Sequence, residues 1–160
     1  MLGIIKKYIC RIIYILLIIY LLIFIPTIIG YKPLVVISGS MEPTLKVGGL
    51  LYYEKYNYDE YEKGDILIYQ YDDHVISHRI YDITDNGIIT KGDANNTYDN
   101  LVIKEENILG KGTNWCIPYI GYYADFIFRH RVILLIPFLL IIGELLYEKF
   151  IKKKGDIDEK

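Results

Sequence analysis

Cysteine is scarce in this 160-residue chain, which contains only Cys10 and Cys116. Two thiols cannot staple a disulfide miniature, and no cysteine pair or close histidine spacing offers a metal site. Glycine has no period, which excludes a collagen-like fibre. Charged residues make up 24% of the chain against 52% hydrophobic ones, which excludes disorder. No face of a domain gathers basic residues; the cations flank apolar segments instead, so nucleic acid is not an expected partner. Internal repeats and low-complexity tracts are also missing.

The chain has apolar length in excess. Residues 12 to 29, IIYILLIIYLLIFIPTII, hold no charge, and at about 1.5 Å per residue they reach roughly 27 Å, close to the hydrocarbon thickness of a bilayer. The run predicts a permanent transmembrane anchor. It is longer than the core of a cleavable signal peptide, and only Ile28-Ile29-Gly30-Tyr31 follows it, without a small-x-small cleavage site. A second stretch, VILLIPFLLIIGELLY at 132 to 147, is read as a second crossing, although it contains Pro137 and Glu144. The alternative is an interfacial helix, which leaves one crossing and turns the lysine tail outward.

Charge sets the expected orientation. Lys6, Lys7 and Arg11 have no acid among the first 30 residues, and Lys149, Lys152, Lys153 and Lys154 cluster after the second stretch. Residues 31 to 131 carry ten Lys or Arg against fifteen Asp or Glu. By the positive-inside rule both ends are cytoplasmic and the acidic middle lies outside. The predicted organisation is an integral protein of the cell membrane, with the lipid bilayer as a partner. It comprises a cytoplasmic tip and anchor over 1–30, an extracytoplasmic domain over 31–131, a second transmembrane helix over 132–148 and a cytoplasmic tail over 149–160. A bilayer then separates Cys10 from Cys116, whose α-carbons cannot approach within the roughly 7 Å a disulfide needs.

From Leu34 the helical period gives way to short β-branched or aromatic runs: LVVI at 34 to 37, GLLYY at 49 to 53, DILIYQY at 65 to 71, VISHRIYDI at 75 to 83, GIITK at 87 to 91 and NILGKG at 107 to 112. These predict a mainly β fold, a small antiparallel domain held by membrane helices. Asp85-Asn86-Gly87 signals a tight hairpin with the positive φ angles of a primed turn. Residues 54 to 63, EKYNYDEYEK, read as a solvated excursion between strands. Seventeen tyrosines suit an amphipathic ring at a headgroup boundary.

Chemistry concentrates just after the anchor, in Val36-Ile37-Ser38-Gly39-Ser40-Met41-Glu42-Pro43-Thr44. A serine at a strand end can combine an exposed hydroxyl with free backbone donors, as an acyl-transfer nucleophile requires. Met41 reads as packing against lipid or substrate and Pro43 as stiffening the turn. Downstream stand His78 in VISHRI and Asp93 and Asp99 in KGDANNTYD. Strand alternation puts His78 on the apolar side with Ile76 and Ile80, opposite Ser77, Arg79 and Tyr81. Histidine is the base needing the smallest pKa adjustment near neutrality. His74 reads as a surface residue at a loop edge and His130 as a headgroup contact.

The boxes S-G-S-M-E-P-T, G-D-I-L-I-Y, H-R-I and K-G-D-A-N-x-x-x-D, in this order behind an N-terminal anchor, closely resemble type I signal peptidases of the archaeal and endoplasmic-reticulum branch. The likeness runs over residues 33 to 125 and includes I-P-Y-I-G-Y at 117 to 122. The common bacterial branch has lysine where His78 stands. The resemblance implies a β catalytic domain with Ser40 as nucleophile, His78 as general base and Asp99 as its orienting acid. It also implies an oxyanion hole from the Ser38 side chain and the Ser40 amide. Asp93 matches another acidic position of the branch, as an alternative orienter or a loop brace. The implied substrates are secretory preproteins, whose signal peptides are removed at the outer face of the membrane, with association with the translocation machinery as a further partner. No cofactor and no metal are implied. The rival classes are an inactive or partner-dependent paralogue, a non-enzymatic membrane subunit, and a LexA-type self-cleaving repressor, which would be soluble and would carry a DNA-binding module.

Overall fold

The computed structural model describes residues 2–130 and isolated positions between 132 and 149. The stretch expected to cross the membrane a second time, and the tail after it, fall mostly outside the described residues. Two compact units divide the chain, one comprising Ile23–Asp125 and the other the residues up to Leu22 together with those from Phe126 onward.

The first element, α1, is a helix over Leu2–Ile28. Within it Tyr8–Ile28, 21 residues with a mean hydropathy of 2.7, is long and apolar enough to cross a membrane. Its outward residues are almost all aliphatic: Ile12, Ile15, Ile18, Leu22 and Ile25 are each more than half exposed. Surface of this kind is stable in lipid and costly in water. Only Ile29, Gly30 and Tyr31 separate α1 from the first strand. Gly30 makes this bend at φ +103°, where a side chain would be strained.

Seven strands follow: β1 (Lys32–Val35), β2 (Leu50–Glu54), β3 (Ile66–Tyr71), β4 (His74–Thr84), β5 (Gly87–Lys91), β6 (Val102–Ile103) and β7 (Ile108–Gly112). They form one antiparallel sheet in the order β1-β2-β7-β3-β4-β5-β6. The late strand β7 inserts between β2 and β3, so the sheet closes only when residues far apart in sequence meet. A helix, α2 (Ile120–Arg129), comes last.

Strand β3 is buried on both faces. Ile66 and Ile68 join Val36, Met41, Leu45 and Leu51 in one core. Leu67 and Tyr69, at the alternate positions, join Tyr61, Ile80, Ile88 and Ile103 in the other. An antiparallel sheet with one wet face shows alternation, whereas a strand covered on both sides reads as a continuous apolar run. The run I-L-I-Y is such a strand.

The structure departs from the sequence expectations at several places. The excursion at 54 to 63 is not simply solvated. It contains a 3₁₀ turn over Tyr58–Glu60, and Tyr61 is buried in the second core with Tyr56 and Tyr58 against it. Met41 faces neither lipid nor substrate: it is 1% exposed, in the first core. The hairpin at Asp85-Asn86-Gly87 is present, but of the three only Gly87 takes a positive φ, +133°. A Cβ there would lie 2.5 Å from the Ile103 carbonyl oxygen, so close pairing with β6 also excludes a side chain.

Leu67 is completely buried in the second core. Leu67→Ala is expected to lower unfolding stability by about 2–5 kcal/mol. Val102→Ala, at a half-exposed position, should change it by about 0.5 kcal/mol or less. Chemical denaturation in detergent reads both, and equal losses would contradict the two-core arrangement.

Candidate active site

The loop between β1 and β2 carries both serines. Its base is pinned by hydrogen bonds from Val36 N–H to the Gly49 carbonyl, 2.9 Å, and from Gly48 N–H to the Val36 carbonyl, 2.8 Å. Met41 and Leu45 anchor the interior of the loop in the first core, and the Glu42–Pro43 bond within it is cis. With these apolar residues turned inward, Ser38 is exposed and Ser40 half-buried. Their hydroxyl oxygens lie 3.3 Å apart.

The loop between β5 and β6 meets it. Ala94 N–H donates to the Ser40 carbonyl at 2.9 Å. A Cβ on Gly92 would sit 2.6 Å from that same oxygen, so only glycine allows this approach without a shift of backbone. The second loop is folded onto β5 by Asp99 N–H, which donates to the Thr90 carbonyl at 2.8 Å.

Between these loops lies His78, opposite Leu67 in the β3–β4 register. Its neighbours by alternation, Ile76 and Ile80, pack in the second core. His78 Nε2 is 3.0 Å from Ser40 Oγ, and His78 Nδ1 is 2.6 Å from Asp99 Oδ2. The side chains of His78 and Asp99 are 13% and 20% exposed, which shields their contact from bulk water. An ionised carboxylate only accepts, so the imidazole donates from Nδ1 to Asp99, and the Nε2 lone pair accepts the Ser40 hydroxyl. This arrangement can take a proton from the serine oxygen and hold the resulting imidazolium.

Asp93 lies in the same loop but has other partners. Arg79 grips it with two hydrogen bonds, Nε to Oδ1 at 2.8 Å and Nη2 to Oδ2 at 2.6 Å, and the Thr44 hydroxyl donates to Oδ2 at 2.6 Å. Arg79 Nη1 also donates to the Gly64 carbonyl. Asp93 therefore joins the serine loop to β4. The Arg79 guanidinium holds its carboxyl below the ordinary carboxylate range, Thr44 adds to this, and partial burial opposes it. Ser40, His78 and Asp99 are thus brought into one chain with Ser38 beside it, while Asp93 stands apart on Arg79. His74 opens β4 at an exposed position paired with Tyr71.

Two further residues, Thr90 and Tyr69, belong to the site without standing out in the sequence. Thr90, completely buried, donates to Asp99 Oδ2 at 2.6 Å, and Tyr69 OH lies 3.2 Å from Thr90 Oγ1. A readable signal exists: Thr90 has the strand parity of Ile88, so a hydroxyl falls at a core-facing position of an otherwise aliphatic run.

A serine, a histidine and an aspartate in hydrogen-bonded series is the kind of arrangement that serine hydrolases use. Residues 9–111 match the signal peptidase, peptidase S26 family, and the chain belongs to that family. Signal peptidase I W of Bacillus subtilis (strain 168) is 34% identical over 99 residues, 58% of this chain and 52% of that protein. Human signal peptidase complex catalytic subunit SEC11C is 33% identical over 101 residues, 54% of this chain and 52% of the relative. The SEC11 subunit of Lodderomyces elongisporus is 34% identical over 117 residues, covering 63% and 69%. The chain spans about half the length of the first two of these relatives.

The depressed Asp93 carboxyl has a pH signature. A group whose pKa falls on folding contributes stability above its unfolded value, near 3.9, and loses it as pH drops through the folded value. The wild-type chain is expected to exceed Asp93→Asn in stability by about 1–3 kcal/mol above roughly pH 5. The difference should shrink progressively below about pH 4. Denaturation midpoints across this range measure it, and a gap that widens on acidification would contradict the Arg79–Asp93–Thr44 tie.

Proposed function

We propose that this chain is a membrane-bound serine endopeptidase that removes signal peptides from secretory preproteins at the outer face of the membrane. The observation that carries the reading is the continuous series Ser40 Oγ to His78 Nε2 at 3.0 Å and His78 Nδ1 to Asp99 Oδ2 at 2.6 Å. Membership of the signal peptidase family supports the substrate class.

In this mechanism His78 removes the hydroxyl proton as Ser40 Oγ attacks the scissile carbonyl, and Asp99 holds the ring and stabilises the imidazolium. The tetrahedral oxyanion is received by the Ser40 amide and the Ser38 hydroxyl, which stands 3.3 Å from the attacking oxygen. His78 then protonates the departing amine. Water, activated by the same imidazole, hydrolyses the acyl-enzyme and restores the serine. Asp93 braces the serine loop through Thr44 and Arg79 and takes no proton.

The anchor supplies the geometry of encounter. With α1 in the bilayer, the enzyme and a preprotein still held by its signal segment meet in two dimensions, where tethering raises the effective concentration. Relatives that are catalytic subunits of a signal peptidase complex support a second reading, in which cleavage depends on partner subunits.

Ser40→Ala and His78→Ala are each expected to abolish preprotein cleavage while the protein still accumulates in membranes. Asp99→Asn should lower turnover by up to roughly ten-thousand-fold. Asp93→Asn should act mainly through stability. Near-normal cleavage by the serine or histidine variant would end the assignment, and a cripple confined to Asp93→Asn would exchange the roles of the two acids. An inactive purified chain that regains cleavage on co-expression with other membrane proteins would favour the partner-dependent reading.

Topology has its own measurement. A protease added outside intact cells is expected to cut within residues 31–131 and to spare the 149–160 tail. Digestion of the tail would favour a single crossing.

A further inference from the structure

We propose that Thr90 and Tyr69 are positioning residues for Asp99, forming a buried hydroxyl relay that sets the carboxylate against His78. The inference rests on the reading of Ser40, His78 and Asp99 given above and extends it inward by two residues.

The hydrogen-bond directions follow from counting protons. Thr90 has one hydroxyl proton, and its 2.6 Å partner is Asp99 Oδ2, which only accepts. The Thr90 oxygen is then left as an acceptor at its 3.2 Å contact, so Tyr69 OH must be the donor there. Burial pushes the Tyr69 phenol up to about 12, so it keeps that proton throughout the working range. The order is Tyr69 to Thr90 to Asp99, with His78 Nδ1 donating to the same Oδ2 from the other side.

The surroundings make this order rigid. Thr90 is completely buried and Tyr69 is 1% exposed. Thr90 lies opposite Ile80 in the β4–β5 register and Tyr69 opposite Ile76 in the β3–β4 register, so three strands fix the relay. The Thr90 carbonyl also accepts the Asp99 N–H at 2.8 Å, so one residue grips both the backbone and the side chain of Asp99. Without the Thr90 donor, Oδ2 keeps the His78 Nδ1–H at 2.6 Å but loses the hydroxyl that holds it against β5.

The test uses the full-length chain in lipid nanodiscs with a preprotein substrate. Thr90→Val keeps the shape and removes the donor. It is expected to lower kcat by about tenfold to a hundredfold with KM changed less than about threefold. Thr90→Ser should recover most of the loss, and Tyr69→Phe should show a smaller decrease. A rate alone does not separate positioning from general damage, so the far-downfield proton resonance of His78 Nδ1–H is followed in each variant. It should shift or broaden in Thr90→Val and return in Thr90→Ser. If Thr90→Val does not fold, Thr90→Ala carries the same two readouts. A valine or alanine variant that folds, cleaves at the wild-type rate and leaves the resonance in place overturns the relay. Loss of cleavage that serine does not recover, with the resonance unmoved, also overturns it. Ser40→Ala and His78→Ala run in parallel: if they cleave normally, the reading of the site itself fails, whatever Thr90 does.

Discussion

The site depends on one close approach between two loops. The Ser40 carbonyl accepts the Ala94 N–H, and Gly92, lacking a side chain, lets the β5–β6 loop lie against that oxygen. This contact joins residues more than 50 positions apart and places a serine from one end of the sheet beside an acid from the other. The polar contacts that cross from one loop to the other depend on it. Asp93 reaches Thr44 only because the loops are already together, and Asp99 meets His78 only because the loop containing it has been folded back onto β5. A hydrogen-bonded series of this kind needs its members held within a few tenths of an ångström, and here backbone contacts provide that precision before any side chain is counted.

The sheet supports the same arrangement. Because β3 is covered on both faces, the second core forms a dry floor of Leu67, Ile80, Ile88 and Ile103 beneath the histidine. In such surroundings a hydrogen bond between polar groups is stronger, and an unpaired one more costly, than at the surface. The buried polar groups at the site are correspondingly paired.

Much of this was legible from the residues. The long charge-free run gives α1, and the short β-branched or aromatic runs give β1 to β5 and β7 with ends displaced by at most two positions, because those runs supply the residues that the cores bury. Strand β6 was not readable, since Val102 and Ile103 are too few to show a period. Helix α2 was hidden by composition: its tyrosines, phenylalanines and isoleucines favour strands, and it forms by burying Ala124 and Ile127, three residues apart on one face. The excursion at 54 to 63 misleads because its polar residues outnumber the one tyrosine it buries. At the site, the four boxes identify Ser40, His78 and both acids, but their spacing does not separate Asp93 from Asp99. What differs between them is their contacts, Asp93 with Arg79 and Asp99 with His78, and those are a property of the folded loop.

The three-residue connection after α1 limits how far the first strand can lie from the end of the helix. Between Ile28 and Lys32 the chain can extend by no more than about 14 Å, and the Tyr52 hydroxyl, from β2, also donates to the Ile23 carbonyl of the helix at 2.9 Å. The end of the helix, from Ile23 to Ile28, therefore acts as a short tether on the base of the sheet, so that β1 and the start of the serine loop stay close to the point where the helix stops.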